Sequence, residues 1–174
     1  MSEQLRTATD IADSGIESIS RAAFRDAMAS FPTGVAIITT LDNKGIAYGL
    51  TASSFCSVSL HPPLVSFCVA KSANCFPIFT RCKTFAVSVL RPQHAMLARQ
   101  FADRSADKFA SGGFRSTELG LPVAEDALTV VQCRVHDQHQ AGDHVIIVGE
   151  VLTADTVPGT PLVFVRRTFT QVVG

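Results

Sequence analysis

The stretch Gly49-Leu50-Thr51-Ala52-Ser53-Ser54-Phe55, followed by Ser57, Ser59 and the double proline Pro62-Pro63, decides how the chain is read. In a strand, Leu50, Ala52 and Ser54 fall on one face and Thr51, Ser53 and Phe55 on the other. Small hydroxyl residues then stand on both faces, where a core strand would carry bulk. A strand that surrenders packing volume makes room for something else. Hydroxyls, amides released where the strand ends and the absence of charge suit an anionic ligand held by hydrogen bonds, such as a phosphate beside a flat ring. An ordinary Ser/Thr-rich edge strand has the same composition, so the rest of the chain must decide between the two.

Upstream, Ser18 or Ser20 caps a helix in which Phe24, Ala27, Met28 and Phe31 follow helical spacing, an amphipathic helix expected to lie on the core. Pro32-Thr33-Gly34 ends it. Residues 34–41 are β-branched and nearly unbroken, as in a strand buried on both faces. Asp42-Asn43-Lys44-Gly45 supplies hairpin chemistry and returns the chain as a strand over 46–55.

Downstream, strands are expected over 64–70 and 84–90, with Ser72 or Asn74 capping a short helix that runs through Phe79. Pro92 opens a helix whose apolar stripe is Met96, Leu97 and Phe101. Residues 103–121 read as an ordered polar loop with a turn of helix around Asp107-Lys108-Phe109. Long strands over 128–136 and 145–154 flank a turn at Ala141-Gly142-Asp143, and a strand over 162–169 closes the sheet. The fold class is mainly β with flanking helices: six or seven strands, mostly adjacent in sequence, forming an antiparallel barrel of Greek-key type.

Composition narrows the function. At 174 residues the chain is most simply one folded domain, 18–174, behind a polar leader, 1–17. Fifteen basic residues balance fifteen acidic ones, so no net field draws in nucleic acid or an anionic membrane. Glu3, Asp10, Asp13 and Glu17 interrupt any signal peptide or apolar span, which makes a cytoplasmic address the expectation. Cys56, Cys68, Cys75, Cys82 and Cys133 are odd in number and lack C-x-x-C spacing, as expected of reduced thiols rather than a disulfide framework or zinc knuckle.

Residues with obvious reactivity are few. His139 and His144 flank the last hairpin turn with His136 nearby, but the odd spacing of His136 and His139 turns them to opposite faces, and no acid or thiol completes a ligand set; no metal site is expected. There is no G-x-S-x-G elbow, no G-x-G-x-x-G and no Walker loop, so hydrolase chemistry and Rossmann or P-loop nucleotide binding are set aside.

Several segments, in order and at compatible distances, resemble the short flavin reductases, the NAD(P)H:flavin oxidoreductase components of two-component monooxygenases. These are Phe24-Arg25-Asp26-Ala27-Met28, Phe31-Pro32-Thr33-Gly34-Val35, the Gly49 to Phe55 stretch, and Ser57-Val58-Ser59-Leu60-His61-Pro62-Pro63-Leu64-Val65. Phe85-Ala86-Val87-Ser88-Val89-Leu90, Gly142-Asp143-His144 and Val148-Gly149-Glu150-Val151 complete the set. The resemblance implies an FMN-binding split β-barrel that pairs with itself as a homodimer and takes FMN or FAD with NADH or NADPH. It further implies that hydride passes from the nicotinamide to the flavin and that reduced flavin leaves for a separate monooxygenase.

By the same resemblance, Pro32, Thr33, Gly34, Thr51, Ala52, Ser53, Ser54 and Ser57 would line the flavin ring and ribityl chain, and Ser72 would approach the phosphate. Val87, Ser88, Val89 and Phe109 would lie along the cofactor, and His144 would border the nicotinamide as the catalytic residue. The chain departs from the family pattern at Ser53 and Ser88, where asparagine is usual, and at Val165-Arg166-Arg167-Thr168-Phe169, where Arg166 or Arg167 could meet a nicotinamide phosphate. Two alternatives share the barrel: a flavin- or haem-binding protein without turnover, and a pyridoxamine-phosphate-oxidase-like enzyme.

Overall fold

The computed structural model describes residues 18–104 and 107–172; the expected leader, 1–17, lies outside the described residues. Among the described residues there are twelve strands: β1 (Thr33–Gly34), β2 (Ala36–Leu41), β3 (Ala47–Ala52), β4 (Cys56–Ser59), β5 (Leu64–Ala70), β6 (Thr84–Val89), β7 (Phe114–Ser116), β8 (Pro122–Ala124), β9 (Thr129–Ala141), β10 (His144–Thr156), β11 (Leu162–Val165) and β12 (Thr168–Gln171). Among the described residues three α-helices accompany them, α1 (Arg21–Ala29), α2 (Phe76–Phe79) and α3 (Ala95–Ala102), the last entered through a 3-10 turn at Pro92–His94.

The main sheet is antiparallel and seven-stranded, in the order β3-β2-β6-β9-β10-β5-β4. Its edges are β3 and β4, which follow one another in the chain. Ala52 and Cys56 are four steps apart and so at most about 14 Å distant, whereas six flat inter-strand spacings would separate the two edges by about 29 Å. The sheet must therefore curl until its edges nearly meet. They do not pair, so the barrel stays open along one side. Within the curl, Ile38, Phe67, Phe79, Phe85, Val87, Val131, Val145 and Ile147 form one core, with the Phe67 ring edge-on to Phe79 and Phe85. A second core on the outer face joins Ile37, Ala86, Leu90, Ala98, Phe101, Leu121 and Leu162.

Strand β2 is buried on both faces as expected, and Asp42 shapes the next turn by accepting the Lys44 and Ile46 N–H groups, each at 2.8 Å. Other expectations require correction. The strand expected over 46–55 stops at Ala52, because Ser53 and Ser54 carry the chain across to the opposite edge. Residues 162–169 do not close the main sheet. They form a hairpin, β11–β12, turned by Arg166 and Arg167 in left-handed conformation, and pair with β1 in a separate three-stranded sheet.

Helix α1 is capped by Ser20, yet buries none of its residues; Phe24 (52%), Met28 (56%) and Phe31 (69%) are exposed. On α3 the covered residues are Ala98 and Phe101, while Met96 faces outward. Neither Ser72 nor Asn74 caps α2; both side chains turn to Arg104 instead. The stretch expected as a polar loop contains β7 and leads into β8, a small two-stranded sheet too short to give a periodic signal.

Candidate functional site

The open side of the barrel holds a cleft of about 470 Å³, within the range of small-molecule sites. Strand β3 supplies one side of it, from Ala47 to Thr51, and the end of β5 supplies the other, from Cys68 to Ala70. Residues 73–75, the end of α3 and residues 107–109 complete the walls, with His144 at the β5 side.

Each wall has a local cause. Gly49 lets α3 press against β3: a Cβ there would lie 2.6 Å from Phe101 Cε1 and 3.1 Å from the Ile38 carbonyl oxygen. The Phe101 ring then packs with Phe109 and with Phe114, each at a centroid distance of 5.2 Å, and those two rings lie 5.0 Å from one another, an aromatic block beside the cleft. The Thr51 hydroxyl donates to the Ala98 carbonyl at 2.7 Å, tying strand to helix, so it is already engaged. Across the cleft, the Lys71 ammonium donates to the Gly142 carbonyl at 2.7 Å and the Lys71 N–H to the Asp143 carbonyl at 2.9 Å, fixing the β9–β10 turn. His144 consequently stands opposite Ala70 in the ladder. Its Nδ1 is 2.7 Å from Asp143 Oδ1, and that contact holds the Asp143 carboxyl below the usual carboxylate range. Nε2 is the ring nitrogen that Asp143 does not use.

Charge is gathered at one end. The Arg104 guanidinium donates to the Ser72 hydroxyl at 2.9 Å, and Asn74 Nδ2 donates to the Arg104 carbonyl at 3.0 Å. Burial lowers the Lys108 pKa, a shift partly countered by Cys75 and Asp103; burial likewise raises that of the Cys75 thiol. Apolar walls with the Arg104 guanidinium at one end fit a flat ring that carries an anionic tail.

Of the residues expected at a site, the fold brings Thr51, Phe109 and His144 into this cleft, with Ser72 beside it through Arg104. Ser53 and Ser54 are exposed along the link between the sheet edges and Ser57 is exposed on the edge strand β4, while Ala52 is buried in the inner core. Val87 and Ser88 are fully buried, and the Ser88 hydroxyl accepts the Ala124 N–H at 3.0 Å, so neither side chain has a face for a ligand. Val89, half-buried, ends the same strand. Pro32, Thr33, Gly34 and Arg166 belong to the region of α1 and the three-stranded sheet, where Arg166 and Arg167 line a small second pocket with Asp26, Ala29 and Ser30. His139 opposes Ile146 and His144 opposes Ala141, so the two histidines that flank the turn do not face each other across the strands.

Sequence reading missed Tyr48, Cys68, Asn74, Cys75, Arg104 and Lys108. The last two sit in the stretch set aside as a polar loop. The only signal there was the Asp107-Lys108-Phe109 cluster.

The profile of the Flavin reductase like domain family matches residues 28–172. A protein of Streptomyces coelicolor named actinorhodin polyketide dimerase is 51% identical over 146 residues, 83% of this chain and 82% of that protein. A Streptomyces pristinaespiralis protein named NADH:riboflavin 5'-phosphate oxidoreductase is 38% identical, with 84% and 85% covered. The reductase subunit HsaB of a Mycobacterium tuberculosis flavin-dependent monooxygenase is 34% identical, with 86% and 81% covered. Among solved structures, the NADH:FAD oxidoreductase SgcE6 of Streptomyces globisporus, in complex with NAD and FAD fragments, superposes with a TM-score of 0.84 at 37% identity, covering 91% of this chain and 98% of that one.

Proposed function

The chain belongs to the flavin reductase-like domain family, and from that premise we propose that it oxidises NADH or NADPH and passes the hydride to FMN or FAD, releasing reduced flavin to a separate flavin-dependent oxygenase. The observation that carries this is the cleft on the open side of the barrel, with apolar walls, the Arg104 guanidinium at one end and His144 at its edge. A bound flavin supplies the two-electron acceptor.

The chain's own residues bind, orient and exclude water. Phe101, Phe109 and Leu50 offer apolar surface to a ring, with Phe114 packed behind the two aromatic rings, and Gly49 keeps that wall close. Arg104, steadied by Ser72 and Asn74, is placed to meet a phosphate. His144, oriented by Asp143, borders the nicotinamide and can hold or give a proton at Nε2. Hydride transfer between two stacked rings needs no further acid or base, which accounts for the lack of an obvious catalytic dyad.

The homodimer belongs to the same proposal. Pro32, Thr33, Gly34 and Arg166 stand apart from the cleft, beside the uncovered apolar face of α1, and would reach a flavin across a subunit seam. No helix among the described residues is long and apolar enough to cross a membrane, and five free thiols suit a cytoplasmic address.

The test is purified protein with NADH or NADPH and FMN or FAD in air, followed at the dihydronicotinamide absorbance. Rapid loss that depends on added flavin supports the reductase and reads out both preferences. A coloured but inert protein would instead establish a binding module. The name of the 51% identical relative raises direct action on a polyketide as a second reading; turnover that needs only nicotinamide and flavin counts against it.

A further inference from the structure

Two side chains run in opposite directions between the last turn of α3 and residues 107–111. Gln100 Nε2 donates to the carbonyls of Asp107 at 2.8 Å and Lys108 at 3.3 Å, and Gln100 Oε1 accepts the Ser111 hydroxyl at 3.0 Å. In return, Lys108 Nζ donates to the carbonyls of Gln100 at 3.2 Å and Phe101 at 2.9 Å, and to that of Asp103. Carbonyls at a helix C-terminus lack intrahelical partners and carry the negative end of the helix dipole, so a cation is favoured there. An ammonium has three N–H donors, and here each has a helix-end carbonyl. Although Lys108 lines the cleft, its charge is therefore spent on the protein. Between the two side chains, Asp107 Oδ1 accepts the Phe109 N–H at 3.1 Å, and the Phe109 ring is set against Phe101.

We propose that Gln100 and Lys108 form a reciprocal clasp that fixes the aromatic wall of the cleft, making both of them positioning residues that set affinity for the flat-ring ligand through Phe109 and Phe101. This rests on the reductase reading for its ligand but not for its geometry. Removing either half should free the wall, and removing the second half should then cost little more.

The test compares Lys108→Met, Lys108→Arg, Gln100→Leu and the double variant Gln100→Leu/Lys108→Met, each checked by circular dichroism. The expected result is a KM for flavin raised about tenfold in Lys108→Met and Gln100→Leu with kcat held within about twofold. Lys108→Arg should recover most of the loss, and the double variant should be no worse than about twofold beyond the weaker single. A second readout needs no activity: the Phe109 and Gly112 amides of Lys108→Met should exchange with deuterium faster than wild type, and those of Lys108→Arg at near wild-type rate. If wild-type protein fails to oxidise nicotinamide, the reductase reading falls and amide exchange alone decides the clasp. Unchanged KM and exchange in a folded Lys108→Met, multiplying effects in the double variant, or a Lys108→Met chain that does not fold would each overturn the proposal.

Discussion

The Ser54 hydroxyl accepts the Cys68 N–H at 3.0 Å, a bond from the chain that has just left one edge of the sheet to the strand beside the opposite edge. Strand β4 pairs with β5 only over Ser66, Val65 and Leu64, and Ser54 takes over just beyond that ladder. Ser54→Ala should therefore lower the unfolding free energy by about 0.5–1.5 kcal/mol, the net worth of one such bond. Equilibrium denaturation checks this; an unchanged midpoint with unchanged slope would show that the barrel edges are held together by other contacts.

Gly49→Ala should destabilise by about 1–3 kcal/mol, because the new methyl must displace a packed ring. Phe101 is held by two aromatic neighbours, and the Ile38 carbonyl, 3.1 Å away, is main chain and cannot swing aside. The same displacement should weaken flavin binding, measured by titration of the folded variant. Full stability with wild-type flavin affinity would mean that the wall does not depend on this close approach.

The elements legible in the sequence were those with a local cause: β2 with its β-branched run, the Asp42 to Gly45 turn, β5 between proline and polar turn, and the Ser20 cap. Ser53 and Ser54 stand out in the sequence for their small size, but their work is to cross between sheet edges, a fact of topology that strand periodicity cannot carry. Phe24, Met28 and Phe31 have helical spacing whether the covering surface is this chain's or another's, so the pattern could not say which. Arg104 and Lys108 acquire meaning only once α3 ends beside them. Val87 and Ser88, expected at the cofactor from the resemblance, lie instead within the sheet's two cores, where no ligand reaches a side chain.

His94 should make stability fall on mild acidification. Its Nδ1 accepts the Arg91 N–H at 3.1 Å and its Nε2 lies 3.0 Å from the Glu125 carbonyl, so the tautomer protonated at Nε2 satisfies both. Burial lowers its pKa from 6.5, with Arg91 adding to the shift and the Glu125 carbonyl and Asp126 opposing it. The unfolded chain then binds a proton that the folded chain refuses. Stability is unaffected well above pH 6.5 and declines as pH drops through that value toward the folded pKa. In His94→Gln that decline should be shallower, as measured by denaturation midpoints across a pH series; parallel curves would remove His94 from the account.

His144→Ala should slow turnover with nicotinamide by about tenfold or more while leaving flavin affinity nearly intact. The ring is oriented by Asp143 and sits at the edge of the cleft rather than in its aromatic wall. Asp143→Asn should lie between wild type and His144→Ala, since it keeps the imidazole but loses the carboxylate that orients it. Steady-state kinetics with flavin binding measured separately resolves the two effects. Loss of flavin binding alone would assign His144 to the flavin instead.

The uncovered face of α1 yields the last expectation. Phe24 and Met28 sit one turn apart on α1 and Phe31 follows just beyond its end, all three exposed, and burying what remains open of each against a second copy would contribute at most about 1.5–3 kcal/mol. Wild-type protein should then run at twice 18.6 kDa in light scattering after gel filtration. Met28→Glu, which adds a charge at the centre of that surface, should shift it toward the single-chain mass. If the cofactor site draws on Thr33 or Arg166 of the neighbouring copy, the same variant should lose flavin reductase activity in proportion to the dimer lost. A wild-type chain that is monomeric and fully active would refute both the pairing and the shared site.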